Sequence, residues 1–299
     1  MPNRPKPVPQ MTTAQFEARF PFGDEEAPLR YLVARRWPEG VHCPRCGNTD
    51  LYDASSYKPF HWQCRECAPQ GYRFSALAGT IFENTKKPLR DWFRVAHLML
   101  ASKKGMSALQ IQRLMGFGSY ETAHSMCHKI RAALIDPSIK LGGIVEMDET
   151  FVGGKDKNRH WDKKKGYKKD QIPIIGAVER KGNVVARVLT RVTADAAYSF
   201  VNEVCSNKVS LLATDAWAGY KGLPYQIPHA SVDHSRHQYV VGAVHTNTIE
   251  GFWSIFKRGV VGTFHKMSAK YMPLYVAEFQ FRYNNRFNPN MFETAIRGC

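Results

Sequence analysis

The 299-residue chain carries 42 Lys and Arg against 26 Asp and Glu, a net charge of +16, with 43% hydrophobic and 12% aromatic residues. This excludes a disordered chain, leaves room for two or three modules with a sizeable core, and points to a polyanionic partner, nucleic acid before an acidic membrane surface. No run of about 18 apolar residues occurs, which argues against a transmembrane helix; the N-terminus lacks an apolar signal core, so a cytoplasmic protein is expected.

In chain order, residues 1–12 read as a tail, with prolines at positions 2, 5, 7 and 9. Residues 13–37 predict two short helices, the first capped by Thr12 or Thr13 and the second started by the polar cluster around Asp24. Residues 40–75 hold two cysteine pairs among short aromatic, strand-like runs. Leu89, Trp92, Phe93, Ala96 and Met99/Leu100 recur at helical spacing. Ser107–Met115 and Glu121–Ile135 follow as helices separated by Gly116-Phe117-Gly118-Ser119. The pattern then becomes β-branched at Ile144–Val152, Ile172–Glu179, Val184–Thr190 and Val209–Thr214, with a helix over Ala194–Cys205. Asn247–Arg258 and Ser268–Arg286 read as helices. The alternation predicts an α/β or α+β domain after a multidomain N-terminal part.

Cys43-Pro-Arg-Cys46 and Cys64-Arg-Glu-Cys67 are separated by 17 residues, enough for a hairpin that brings four thiolates around one Zn²⁺. Four cysteines leave no open position, so the site is structural. Cys127, Cys205 and Cys299 have no paired spacing. The Ser107–Ala133 segment fits a helix-turn-helix, whose second helix presents His124, His128, Lys129 and Arg131 to DNA; an ordinary helical hairpin is the other reading.

Three acids stand out. Asp148 lies in a strand whose alternation puts Val145, Met147, Glu149 and Phe151 on one face and Glu146, Asp148 and Thr150 on the other. Asp215 ends an apolar strand. Glu250 shares the polar face of an amphipathic helix with Asn247, Ser254 and Lys257, opposite Ile249, Phe252, Trp253 and Phe256. Converging carboxylates suit Mg²⁺ or Mn²⁺, and two such ions about 3.5–4 Å apart serve phosphodiester chemistry; Lys257 is placed to meet a phosphate. Each acid also has a plainer reading: Asp215 as a helix cap, Glu250 in a capping box with Asn247, Asp148 as a solvated acid on an edge strand.

Residues 155–169 hold eight Lys or Arg against two Asp. Lys163, Lys164, Lys165, Lys168 and Lys169 are candidate phosphate contacts there, and Trp161 and Tyr167 candidate stacking groups; a solvated hairpin is the alternative. For His234, Arg236, His237 and His245, DNA contacts or support of Glu250 are favoured over a second zinc site.

The chain resembles the insertion-sequence transposases that join an N-terminal zinc ribbon to an RNase H-like domain of the Asp-Asp-Glu type. The matching stretches are Cys43–Cys46, Phe74–Phe82, Pro88–Phe93, Glu146–Lys155, Thr214–Tyr220, His245–Lys257 and Arg282–Arg286. The resemblance spans roughly residues 15–290. It implies a mixed five-stranded sheet, Asp148, Asp215 and Glu250 as first, second and third acid, and Lys257 at a position often basic, with Asn247 a minor rival to Glu250. It further implies metal-dependent cleavage at terminal inverted repeats, attack of the freed 3′-hydroxyl on target DNA, and a homodimer or higher oligomer to synapse two ends. The expected division is 1–37 (tail and helices), 38–82 (ribbon), 83–140 (helical DNA-binding region) and 141–299 (catalytic domain). An RNase H-like nuclease without strand transfer and a non-catalytic DNA-binding regulator are the alternatives.

Overall fold

The computed structural model describes residues 10–67, 69–153, 171–217, 219–220, 227–232 and 245–299. The residue 1–9 tail, the basic segment with Lys163, Lys164, Lys165, Lys168 and Lys169, its Trp161 and Tyr167, and His234, Arg236 and His237 lie outside them. The chain divides into two units: residues to Leu134 together with Arg286–Cys299, and Ile135–Asn285.

In the first unit, α1 (Thr13–Arg19) opens on a capping box between Thr12 and Gln15. Helix α2 (Glu26–Arg36) has its first amides taken by Asp24 Oδ1, at 3.0 Å from Glu26 N and 2.8 Å from Ala27 N. Strands β1 (Leu51–Asp53), β2 (His61–Cys64) and β3 (Tyr72–Ser75) form an antiparallel sheet in that order. Its small core is Trp37, Cys43, Cys64, Phe74, Ala76 and Ala78; such a core is thin, and a cross-link in place of buried area suits it.

Helix α3 (Leu89–Ala101) buries Trp92, Phe93, Ala96, Met99 and Leu100, the periodic set seen in the sequence. Helix α4 (Ala108–Met115) is capped by Ser107 and stopped by Gly116, whose φ of 64° is the left-handed conformation that favours glycine. Helix α5 (Tyr120–Ala133) starts at Ser119 and ends two residues before the expected Ile135. The C-terminal helix Met291–Arg297, α9, packs in this unit: Phe292 meets Phe16, Phe20, Tyr31 and Phe93. That helix carries no cue in the periodicity, being two turns long.

The second unit is built on a five-stranded mixed sheet ordered β6-β5-β4-β7-β8: β4 (Leu141–Val152), β5 (Ile172–Glu179), β6 (Val184–Val188), β7 (Cys205–Asp215) and β8 (His229–Val232). Strands β4, β5 and β6 pair antiparallel, whereas β7 runs parallel to β4 and β8 parallel to β7. Asp148 therefore sits on the central strand, which removes its reading as a solvated edge acid. One face of the sheet packs Val145, Met147, Ile175 and Leu212 with Phe200 and Val201 of α6 (Ala194–Val204). The other packs Ile174, Val178 and Val184 with α7 (Asn247–Gly259), which continues as a π-helical turn over Val260–Phe264, and with α8 (Met272–Asn284). The edge strand β6 is closed by α8: Gln280 Oε1 accepts from Ala186 N, and Asn284 both accepts from Val184 N and donates to its carbonyl.

Candidate active site and metal centre

The four cysteines converge. Cys43 Sγ lies 3.7 Å from Cys67 Sγ, and Cys46 Sγ 3.6 Å from both Cys64 Sγ and Cys67 Sγ. A tetrahedron with Zn–S bonds of about 2.3 Å has edges of about 3.8 Å, so the spacing fits Zn²⁺. Burial pushes the Cys43 thiol up, but the amides of Arg45 and Cys46 outweigh it and bring it to about 7. Burial and the Cys46 thiol push Cys67 to about 12. Four thiolates at this distance require a cation between them. His61 is engaged elsewhere, its Nδ1 2.8 Å from Pro59 O.

The acids gather at one end of the sheet. The β4–β7 pairing runs to Glu146 opposite Ala213, two residues short of Asp148 and Asp215 on adjacent strands. Glu250 stands on the exposed side of α7, whose apolar side, Ile249, Phe252, Trp253 and Phe256, is buried as expected. Asp148, Glu149, Thr150, Glu250, Trp253, Ser254, Lys257 and Arg258 line a cleft of about 580 Å³. Burial raises the Asp148 carboxyl to about 7, followed by repulsion from Glu149 and Asp215 and, more weakly, from Glu250. Asp148 thus feels both other acids of the set. Among the described residues, the four cysteines are the one group of three or more ligand atoms lying within 4.8 Å of each other; the three carboxylates do not meet that distance.

The local roles of the acids are mixed. Asp215 Oδ1 accepts from Trp217 N at 3.1 Å, a local turn past the end of β7 and not the cap of an α-helix. The capping box of Asn247 with Glu250 does not form: the N-cap is Thr246, whose hydroxyl donates to Glu250 Oε1 at 2.9 Å. Asn247 is exposed in the first turn.

Four residues of this site escape the sequence reading. Glu149, raised first by burial, accepts a hydrogen bond from the buried Tyr220 hydroxyl, tying β4 to the turn after Asp215. Gly176 pairs with Asp148 across β4–β5, and a Cβ there would stand 2.6 Å from the Trp253 ring. A bare backbone at that point lets α7 approach the central strand; the cue was a lone glycine inside an apolar strand run. Glu146, wholly buried, forms an ion pair with Arg180.

On α5 the sequence reading needs correction. Arg131 and His128 are buried, 1% and 8% exposed, because they fall on the face packed into the helical unit, and neither is presented to a ligand. Lys129 is exposed and His124 half-buried, with His124 Nε2 2.9 Å from His128 Nε2. A larger cleft of about 1320 Å³ lies between α2 and the ribbon, where Asp24, Glu26 and Glu83 mix with Arg45 and Lys58; no carboxylate set converges there. Among the described residues no helix is long and apolar enough to cross a membrane.

Comparison with known proteins finds one domain match in each of the two units. Residues 140–284 match the ISXO2-like transposase domain, and residues 23–70 the transposase zinc-ribbon domain. An uncharacterized protein in transposable element ISH50 of Halobacterium salinarum is 24% identical over 275 residues, covering 87% of this chain and 91% of that one. A chain of the simian T-cell lymphotropic virus intasome in complex with PP2A regulatory subunit B56 gamma aligns over 64% of this chain and 65% of its own, at 16% identity and a TM-score of 0.30, too low to bear on the fold. With both domain matches in chain order and a relative that spans nearly its full length, the chain is similar to the insertion-sequence transposases that carry an N-terminal zinc ribbon.

Proposed function

We propose that the protein cuts DNA at the terminal inverted repeats of its element and joins the freed 3′-hydroxyl to target DNA, with Asp148, Asp215 and Glu250 as the catalytic acids on an RNase H-like sheet. The observation that carries this reading is the buried Asp148 at the edge of an open cleft, raised to about 7 by burial and then by repulsion from Glu149, Asp215 and, more weakly, Glu250. The strand order, three antiparallel strands followed by two parallel ones, supports the fold assignment.

The all-oxygen donor set suits Mg²⁺ or Mn²⁺, and the raised Asp148 carboxyl is what a site meant to hold positive charge looks like without its counter-charge. Asp148, Asp215 and Glu250 would hold such a cation, which would supply activation of the attacking oxygen and stabilisation of the leaving one when bound. The chain's own groups then orient the strand. Lys257, two turns along the exposed face of α7 from Glu250, meets a phosphate entering the cleft. Arg258, whose guanidinium donates to Ser254 O and Oγ at 3.1 and 2.9 Å, lies alongside it. The ribbon, the α4–α5 pair through Lys129 and His124, and the basic residues Lys163, Lys164, Lys165, Lys168 and Lys169 hold the DNA, and two copies bring two ends together.

A strand-transfer assay with labelled end-sequence DNA and Mg²⁺ tests this. Joined products are expected; cut products alone identify a nuclease, and binding alone a regulator. Asp148→Ala, Asp215→Ala and Glu250→Ala are each expected to abolish cleavage with DNA affinity nearly unchanged, and retained cleavage in any one rejects that residue.

A further inference from the structure

Glu146 is the only fully buried carboxylate on the strand that carries Asp148, and it takes no part in lining the cleft. Its partners lie at the start of α7, in the segment leading into it, and just past the end of β5. Oε2 accepts from the backbone of Thr248 at 2.6 Å and of Ile249 at 3.2 Å; Oε1 accepts from Thr248 Oγ1 at 2.8 Å. Arg180 Nε donates to Oε1 at 2.6 Å, and the same guanidinium donates to His245 O at 3.1 Å. His245 Nδ1 lies 3.1 Å from Oε1.

Thr248 and Ile249 supply the second and third amides of α7, the positions that a helix's own N-cap side chain normally satisfies. Thr246, the N-cap here, makes no such bond. The cap comes instead from the sheet, 102 residues earlier in the chain. A carboxylate at that end also matches the positive end of the helix dipole. Glu146 lies two residues before Asp148 on the same face of β4; Ile249 lies one residue before Glu250. One carboxyl group therefore joins the strand of the first acid to the helix of the third, and Arg180 ties in the segment that leads into that helix.

We infer that Glu146 is a positioning residue: it sets the separation of Asp148 and Glu250 by capping α7 from the sheet, and touches neither DNA nor metal. This role rests on the proposed assignment of Asp148 and Glu250. Residues that orient metal-holding groups typically change metal affinity or activity 10–100-fold when altered, so loss of Glu146 should do the same.

The test uses the full-length, zinc-loaded protein. Glu146→Gln keeps the volume and removes the charge; Thr248→Val removes one of the bonds and is the milder change. Amide exchange is read first, without Mg²⁺ or Mn²⁺. Exchange at Thr248, Ile249 and Glu250 is expected to rise at least tenfold in Glu146→Gln, and less in Thr248→Val, with β4 and β5 amides unchanged. Unchanged α7 amides in both variants, or equal loosening of β4 and β5 in both, overturns the inference. Mn²⁺ affinity by calorimetry is read second. Glu146→Gln should weaken it 10–100-fold in the wild-type background and not at all on top of Glu250→Ala; an equal loss in both backgrounds also overturns the inference. A wild-type chain that binds no Mn²⁺ removes the metal reading of the acids, while the exchange data still decide the cap.

Discussion

Asp148→Asn offers a direct measure of the strain stored in the acid cluster. The carboxyl ionises at about 7 in the fold against an ordinary 3.8, so the folded chain holds this proton more tightly than the unfolded one. Its contribution to stability is complete below the unfolded value and is lost as pH rises through about 7. Asparagine keeps the shape and has no proton to lose. From pH 5 to pH 8 the wild type gives up about 3 kcal/mol that the variant keeps, two pH units at about 1.4 kcal/mol each. Glu149 loses a repelling neighbour in the variant, which acts in the same direction. Amide exchange of β4, whose opening reports unfolding of this unit, reads the difference residue by residue. In Mg²⁺-free buffer with zinc retained, the ratio of variant to wild-type protection should grow roughly 100-fold between pH 5 and pH 8. Saturating Mg²⁺ at pH 8 should restore the wild type and leave the variant unmoved. A ratio independent of pH would refute the repulsion, and equal gains with Mg²⁺ would place the ion elsewhere.

Purified protein should carry about one Zn²⁺ per chain, and Cys46→Ser should lose it and release the amides of β2, as checked by metal analysis and amide exchange; a zinc-free wild type removes the assignment. Gly176→Ala should cost about 1–3 kcal/mol by overpacking against Trp253, lower the melting temperature, and reduce cleavage more than DNA binding; an unaltered melting temperature shows that α7 does not depend on that close approach. Replacing Lys163, Lys164 and Lys165 with Gln should make the slope of log affinity against log salt shallower by about 2–3, and an unchanged slope places the phosphate contacts in other residues.

The elements with strong local signals were legible from residue order alone. The β5 boundaries, Ile172 and Glu179, coincide with the β-branched run, and Ser107 and Gly116 mark the ends of α4 because capping chemistry acts within four residues. The cysteine centre was equally plain, since ligand spacing is a local property. What stayed hidden depends on long-range partners. Strand β8 is four residues long and pairs on one side only. Burial of Arg131 depends on the packing of the helical unit around α5, and a polar residue on an amphipathic helix does not announce that. Glu146 and Glu149 read as generic acids beside Asp148; their distinct tasks emerge only from Thr248, Arg180 and Tyr220, each distant in sequence.

The amide side chains of Gln280 and Asn284 fill the outward hydrogen-bonding positions of Val184 and Ala186, so the free margin of the sheet on that side is sealed by a helix rather than left to solvent. A second polypeptide cannot lengthen the sheet across this boundary by strand addition. Fibre-like growth through β6 is thereby blocked, and any self-association that this protein undergoes must use side-chain surfaces instead of a shared ladder along that strand.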